Sequence, residues 1–209
     1  MPNNTTHKEI LTKEQTEFLS VVGDFSKDFG LVGGTAIALY IGHRESIDFD
    51  MFSFKSFGNL QIRNKINKKI KIDNVIVDKL GEFTILIKGV KMTFFHYPFD
   101  IKFSENFGYN IKLPDLLTLA AMKAYAMGRR PKWKDYVDLY FIMKDFHTIH
   151  EIVKKAKEVF GNEFNERMFR NQLSYFDDIS YKEEVVWKNG NNTSDEVIKK
   201  ALIEFSLSK

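Results

Sequence analysis

The sequence predicts an α/β protein: a small mixed sheet flanked by helices, followed by a helical C-terminal half. Three observations carry that prediction. Residues 47–52, IDFDMF, alternate hydrophobe and acid, the pattern of a strand with one buried face. Three more strand-like runs, 74–80, 82–88 and 90–97, follow within a short span, with Lys88-Gly89 as a hairpin turn between the last two. From Pro114 onward the texture changes to apolar residues at helical spacing. The expected division is an α/β domain over 1–110 and a helical domain over 111–209.

Taken in order, the first element is a helix starting after Thr12. Gln15 stands three residues on and completes a capping box, and Phe18, Leu19, Val22 and Phe25 share one face. A turn at Gly30 feeds a short apolar run and then Gly33, Gly34 and Thr35, with two helical turns expected over Ala36–Ile41. The loop Gly42-His43-Arg44-Glu45-Ser46 leads into the acidic strand, where Ile47, Phe49 and Met51 are expected to face the core. Residues 59–72 read as an amphipathic helix, with Leu60, Ile62, Ile66 and Ile70 among Arg63, Lys65, Lys68, Lys69 and Lys71. Pro98 ends the last strand of the sheet. Pro114 is placed at a helix start with Asp115 in the first turn, where an acid favours the helix dipole. Gly128 and Pro131 break that helix, a second begins near Trp133, and further helical segments are expected over 149–160, 164–176 and 194–206.

Composition narrows the chemistry. The chain has 209 residues, 44% hydrophobic and 28% charged, as in an ordinary globular protein long enough to bury a core. It has no cysteine, which excludes disulfides, thiolate metal sites and cysteine nucleophiles. A net charge of +3 is too mild to demand a nucleic-acid partner. No apolar run reaches the roughly 20 residues of a membrane span and no signal-peptide core opens the chain, so a cytoplasmic protein without membrane contact is expected.

Two constellations carry candidate chemistry. On the acidic strand Asp48 and Asp50 share a face about 7 Å apart, and paired hard oxygen ligands suit Mg²⁺ or Mn²⁺. The glycines upstream let backbone approach a ligand closely and offer amides to a phosphate oxygen. Arg44 or Ser46, in the loop before the acids, are further phosphate candidates, with Arg the better suited by its bidentate geometry. This is equipment for metal-assisted phosphoryl or nucleotidyl transfer. In the second constellation Asp135 and Asp138 lie on one helical face, Asp138 beside an apolar stripe. A half-buried acid needs a partner, and Lys123 and Arg129 are the candidates. A structural salt bridge and a functional group fit these residues equally.

Gly-Gly-Thr, a short helix, Gly-His-Arg-x-Ser and Asp-x-Asp together resemble the first motif of the DNA polymerase β-like nucleotidyltransferases, and within them the AbiEii/AbiGii toxin family. The resemblance spans roughly residues 31–143, where Lys123 matches a lysine motif and Asp135 and Asp138 match an Asp-x-x-Asp motif. It implies a nucleotidyltransferase-like topology and a bacterial toxin balanced by a separately encoded antitoxin. The implied reaction moves a nucleoside monophosphate from an NTP to an acceptor hydroxyl, with tRNA or another RNA as acceptor. It implies Asp48 and Asp50 as metal ligands, and Gly33, Gly34, Thr35, Arg44, Ser46 and Lys123 around the nucleotide. It also implies a catalytic or nucleotide-contacting role for Lys123 and Asp138, with Asp138 acting as a base or orienting the lysine and Asp135 in support. One departure stands out: the strand over 90–97 lacks the third metal carboxylate common in the superfamily. His96 is a weak substitute there, and a histidine satisfied by backbone groups is the simpler reading. A small-molecule or protein acceptor, and a catalytically inactive fold used as a binding module, are the alternatives.

Overall fold

The computed structural model describes residues 6–127, 129 and 132–208. Gly128 and Pro131, expected to break a helix, lie outside the described residues. The chain forms two compact units, one of Lys8–Ala36 with Ser46–Asp115, the other of Met1–His7, Ile37–Glu45 and Leu116–Lys209. A single cut at 110/111 therefore differs from the observed division, because residues 37–45 pack with the helical half.

The first unit is built on a five-stranded sheet. Its strands are β1 (Gly30–Val32), β2 (Phe49–Ser53), β3 (Asn74–Lys79), β4 (Glu82–Ile87) and β5 (Val90–His96). Their order is β1-β2-β5-β4-β3, with β2 and β5 parallel and every other pair antiparallel. Helix α1 (Lys13–Gly23) begins with the expected capping box of Thr12 and Gln15. Phe18, Leu19 and Val22 are buried, and beyond the helix Phe25 meets Phe94 of β5 edge-on at 4.8 Å. Along β2, Phe49 and Met51 are fully buried while Asp50 and Phe52 are half-buried, as alternation requires. Lys88 and Gly89 both take positive φ in the two-residue turn joining β4 to β5, the hairpin geometry that a glycine favours.

Three expectations are corrected here. Ile47 is 51% exposed rather than core-facing, because the strand begins at Phe49 and residues 46–48 are held by side chains from elsewhere in the unit. The basic helix, α3 (Asn59–Asn67), ends at Asn67; it buries Ile62 and Ile66 but leaves Leu60 67% exposed. A small ladder, β6 (Glu105–Asn106) with β7 (Lys112–Leu113), is too short for periodicity to reveal. It also moves the next helix start: Leu113 is held extended, as a residue before proline prefers, and the helix begins at Leu116 beyond Pro114 and Asp115.

The second unit is helical. It contains residues 37–41 of α2 (Gly33–Ile41), then α4 (Leu116–Met127), α5 (Trp133–Asp145), α6 (Ile149–Phe160), α7 (Glu166–Leu173) and α8 (Asp195–Leu207). Thr148, Asn165 and Ser194 cap α6, α7 and α8 with side-chain oxygens, so each start has a local cause. Helix α7 is shorter at both ends than the expected 164–176. Residues 174–193 hold no helix, yet they pair with the Gly42–Glu45 loop. Arg44 bridges Trp187, the Glu45 amide donates to the Val186 carbonyl at 2.8 Å, and the Lys188 amide donates to the His43 carbonyl at 3.0 Å. No helix among the described residues is long and apolar enough to cross a membrane.

Candidate active site

The first constellation lies wholly in the sheet unit. After β1, Gly33 takes φ +73° and opens α2. A Cβ added there would lie 2.4 Å from the Asp50 carboxylate, so the position requires glycine both for its backbone and for the approach of Asp50. Gly33 and Gly34 are half-buried, beside the acid. Thr35 is 2% exposed: its hydroxyl donates to the Asp48 carbonyl and lies 2.9 Å from the Ser46 hydroxyl. Gln15, also buried, donates its amide to the Ser46 carbonyl at 2.8 Å. Thr35 and Ser46 thus fix the backbone that aims the acids. Asp48 sits one residue ahead of β2, its carboxylate 2.6 Å from the Lys91 ammonium on β5, with the two side chains 35% and 40% exposed.

The donor set fits a divalent ion of the Mg²⁺ or Mn²⁺ kind. It offers two hard carboxylates two residues apart, Asp50 on β2 and Asp48 just ahead of it, with Gly33 leaving room for the first. Among the described residues no three His, Asp, Glu or Cys side chains converge on a common point. His96 does not join the acids. Its register partner is Ser53, and its Nε2–H donates to the Phe54 carbonyl at 3.0 Å.

The second constellation lies wholly in the helical unit and is buried. Asp138 on α5 is 0% exposed. Arg44 grips it with Nε to Oδ1 at 2.7 Å and Nη2 to Oδ2 at 2.8 Å, while Nη1 donates to the Glu45 carbonyl. His43 Nε2 donates to Oδ1 at 2.8 Å, and Lys123 on α4 stands 3.0 Å from Oδ2 and bonds Asp135. Burial pushes the Asp138 carboxyl up, but the Arg44 and Lys123 charges and the hydrogen bonds outweigh it and hold the group well below the usual carboxylate range. For Arg44 and Lys123 burial acts downward, and the facing aspartates raise both above their ordinary values. Burial dominates at His43, which is lowered and therefore neutral near pH 7. Its Nδ1 is buried without a hydrogen-bond partner.

Two cations thus face two anions, and the sequence identified only part of the set. Lys123 is a partner of Asp138, as expected. Arg129 is not: it is 57% exposed, donating to the Tyr125 hydroxyl at 2.6 Å and lying 3.7 Å from Glu163. The principal partner is Arg44, expected to hold a phosphate but 2% exposed, with all three guanidinium nitrogens given to protein acceptors. The one local hint was an arginine beside a histidine in a loop rich in small residues.

Comparison with known proteins agrees with this architecture. The chain is 34% identical over 182 residues to an uncharacterised protein of Aquifex aeolicus, covering 84% of this chain and 86% of that one. Its fold matches the Helicobacter pylori protein JHP933 with a TM-score of 0.60 at 15% identity, covering 94% of this chain and 91% of the other. It likewise matches MenT4, a nucleotidyltransferase toxin of Mycobacterium tuberculosis, with a TM-score of 0.59 at 10% identity, covering 92% and 81%. Residues 61–204 match the family model of the nucleotidyl transferase AbiEii toxin of type IV toxin–antitoxin systems. That match runs from α3 into α8, beyond the resemblance read over 31–143, and begins after Asp50, so the place of the two acids rests on the local geometry around β2. With more than half its length matched, the chain belongs to the AbiEii nucleotidyltransferase toxin family.

Proposed function

We propose that this nucleotidyltransferase moves a nucleoside monophosphate from an NTP to a hydroxyl of tRNA or another RNA, using Asp48 and Asp50 as its metal ligands. The observation that carries the reading is the Asp50 carboxylate held against Gly33 at the start of α2, with Asp48 two residues before it, just ahead of β2. A divalent ion held there would neutralise charge on the reacting phosphate. The amides of Gly33 and Gly34 offer donors to phosphate oxygens. Thr35 and Ser46 keep the strand entrance in place, and in the helical unit Lys123 is the residue assigned to the transfer. Asp138 and Asp135 orient that lysine, with Arg44 and His43 completing their shell. Asp138, with both oxygens bonded and its pKa depressed, is suited to orienting rather than to accepting a proton. The acceptor hydroxyl attacks the α-phosphate and pyrophosphate leaves. The toxin works in the cytoplasm, where NTPs and RNA meet, and its antitoxin restrains it.

An RNA acceptor draws modest support from the basic stretch. Arg63 and Lys69 pair with Asp78 and Asp24, and Lys65 bonds a carbonyl, but Lys68 and Lys71 are exposed. Transfer of label from each α-labelled NTP to a total tRNA pool, with Mg²⁺, tests the reading. Wild type labels RNA with one or more NTPs, while Asp50→Ala and Lys123→Ala do not. Label retained in Asp50→Ala would overturn the site; label on protein or a small molecule instead would overturn the acceptor.

A further inference from the structure

We infer that Lys91 supplies, as a fixed side-chain charge, what a second metal ion would otherwise bring to Asp48 and Asp50, so that the site takes one divalent ion rather than two. This rests on the metal-binding reading of the two aspartates.

The strands beside β2 decide which side chains can reach the acids. On the β1 side Asp50 is opposite Val32, and the next residue is Gly33, which has no side chain to offer. On the β5 side the register sets Thr93 opposite Asp50 and Met92 opposite Phe49, so Lys91 is level with Asp48. β5 alternates as β2 does: Val90, Met92 and Phe94 are buried, while Lys91 and Thr93 are half-buried on the face that carries the acids. Any further ligand from the neighbouring strand would have to come from position 91 or 93. The chain has an ammonium at the first and a hydroxyl at the second, where a carboxylate would be needed to complete a two-ion site.

Charge makes the exchange a balanced one. Three carboxylates holding two divalent ions carry one net positive charge. Two carboxylates, one ammonium and one divalent ion carry the same. The ammonium, 2.6 Å from the Asp48 oxygen, also occupies space a second ion would need, since paired ions in such sites stand only about 4 Å apart. Lysine differs from a metal in one chemical respect: it cannot make a bound hydroxyl acidic by direct coordination. It can only offset charge already present and hold Asp48 in place.

The test is a titration of the purified protein with Mn²⁺ alone, counting bound ions from the loss of the free-ion electron paramagnetic resonance signal. Wild type should bind one ion per chain at a site lost in Asp50→Ala. Lys91→Met should keep the count at one and tighten it several-fold, because the competing ammonium is gone. Lys91→Asp should bind two. Two ions on wild type, both lost in Asp50→Ala, would overturn the inference and leave the metal site standing, as would a count that stays at one in Lys91→Asp. No bound ion in any of these proteins would overturn the metal-dependent reading and this inference with it. Unfolding midpoints of the variants accompany the counts, so that a lost site is told apart from a lost fold.

Discussion

Two of the meetings between lysine and aspartate in this protein, Lys91 with Asp48 and Lys123 with Asp138, have opposite consequences. In the sheet unit Lys91 and Asp48 touch across neighbouring strands with about a third or more of each side chain open to solvent. In the helical unit Lys123 and Asp138 touch between helices with almost none. An exposed pair is held weakly, because water screens the attraction and holding two side chains still costs entropy. Its open side leaves room for a ligand to join the pair. A buried pair has no such freedom, since each charge removed from water depends on the others to offset its lost hydration. The first is suited to exchange and the second to permanence.

The buried set is where that contrast is largest. Asp138→Ala removes the group on which Arg44, His43 and Lys123 converge and leaves Arg44 fully buried with its main partner gone. Breaking a buried ion pair from one side costs about 3–5 kcal/mol, read as a lower denaturant midpoint. Loss of less than about 1 kcal/mol would mean that the buried set is not a structural tie, and the comparison would fail at its stronger end.

How much of this was legible depended on how local each cause was. The alternation in β2, the capping box of Thr12 and Gln15, and the hairpin at Lys88-Gly89 are set by neighbours in sequence, and they stand as read. The strand entrance was misjudged at Ile47 because Gln15 and Thr35, distant in sequence, hold it. Asp138 was readable as an acid in need of a cation. Which cation was not, because Arg44 lies 94 residues away and is fixed in turn by the pairing of its loop with Val186, Trp187 and Lys188. Periodicity carries no information about such contacts. Likewise β6 and β7, two residues each, leave no pattern to detect.

The buried set also gives a pH dependence of intermediate size. His43 has its pKa lowered in the folded protein, mainly by burial, against an ordinary value of about 6.5 in the unfolded chain. Above that value the residue is neutral in both states and contributes nothing. As pH falls below about 6.5 the unfolded chain takes up a proton that the folded one refuses. Stability therefore falls, by at most about 1.4 kcal/mol per pH unit, until the folded pKa is reached. Asp138 acts in the same direction but lower: its depressed pKa stabilises the fold above the ordinary carboxylate value, and the benefit is lost as pH falls from there through the folded pKa. Denaturant midpoints from pH 7.5 to 5 should decline in wild type and decline less in His43→Gln, whose amide can still donate to Asp138. An identical slope in both proteins would remove His43 from the account.

The smallest effect on stability belongs to the exposed pair, and it is the sharpest test of the distinction. Asp48→Asn removes the charge that Lys91 meets while keeping the shape of the side chain. A half-exposed pair of this kind contributes about 0–1 kcal/mol, so the unfolding midpoint should move little, and less still at high salt. Nucleotidyl transfer should nonetheless be lost, because an amide oxygen is a poorer ligand for a hard divalent ion than a carboxylate. A fold undisturbed with activity gone would put Asp48 on the chemical side of the comparison. A midpoint shift as large as that of Asp138→Ala would instead make Lys91 and Asp48 a second structural tie, and the two meetings of lysine with aspartate would then have the same meaning.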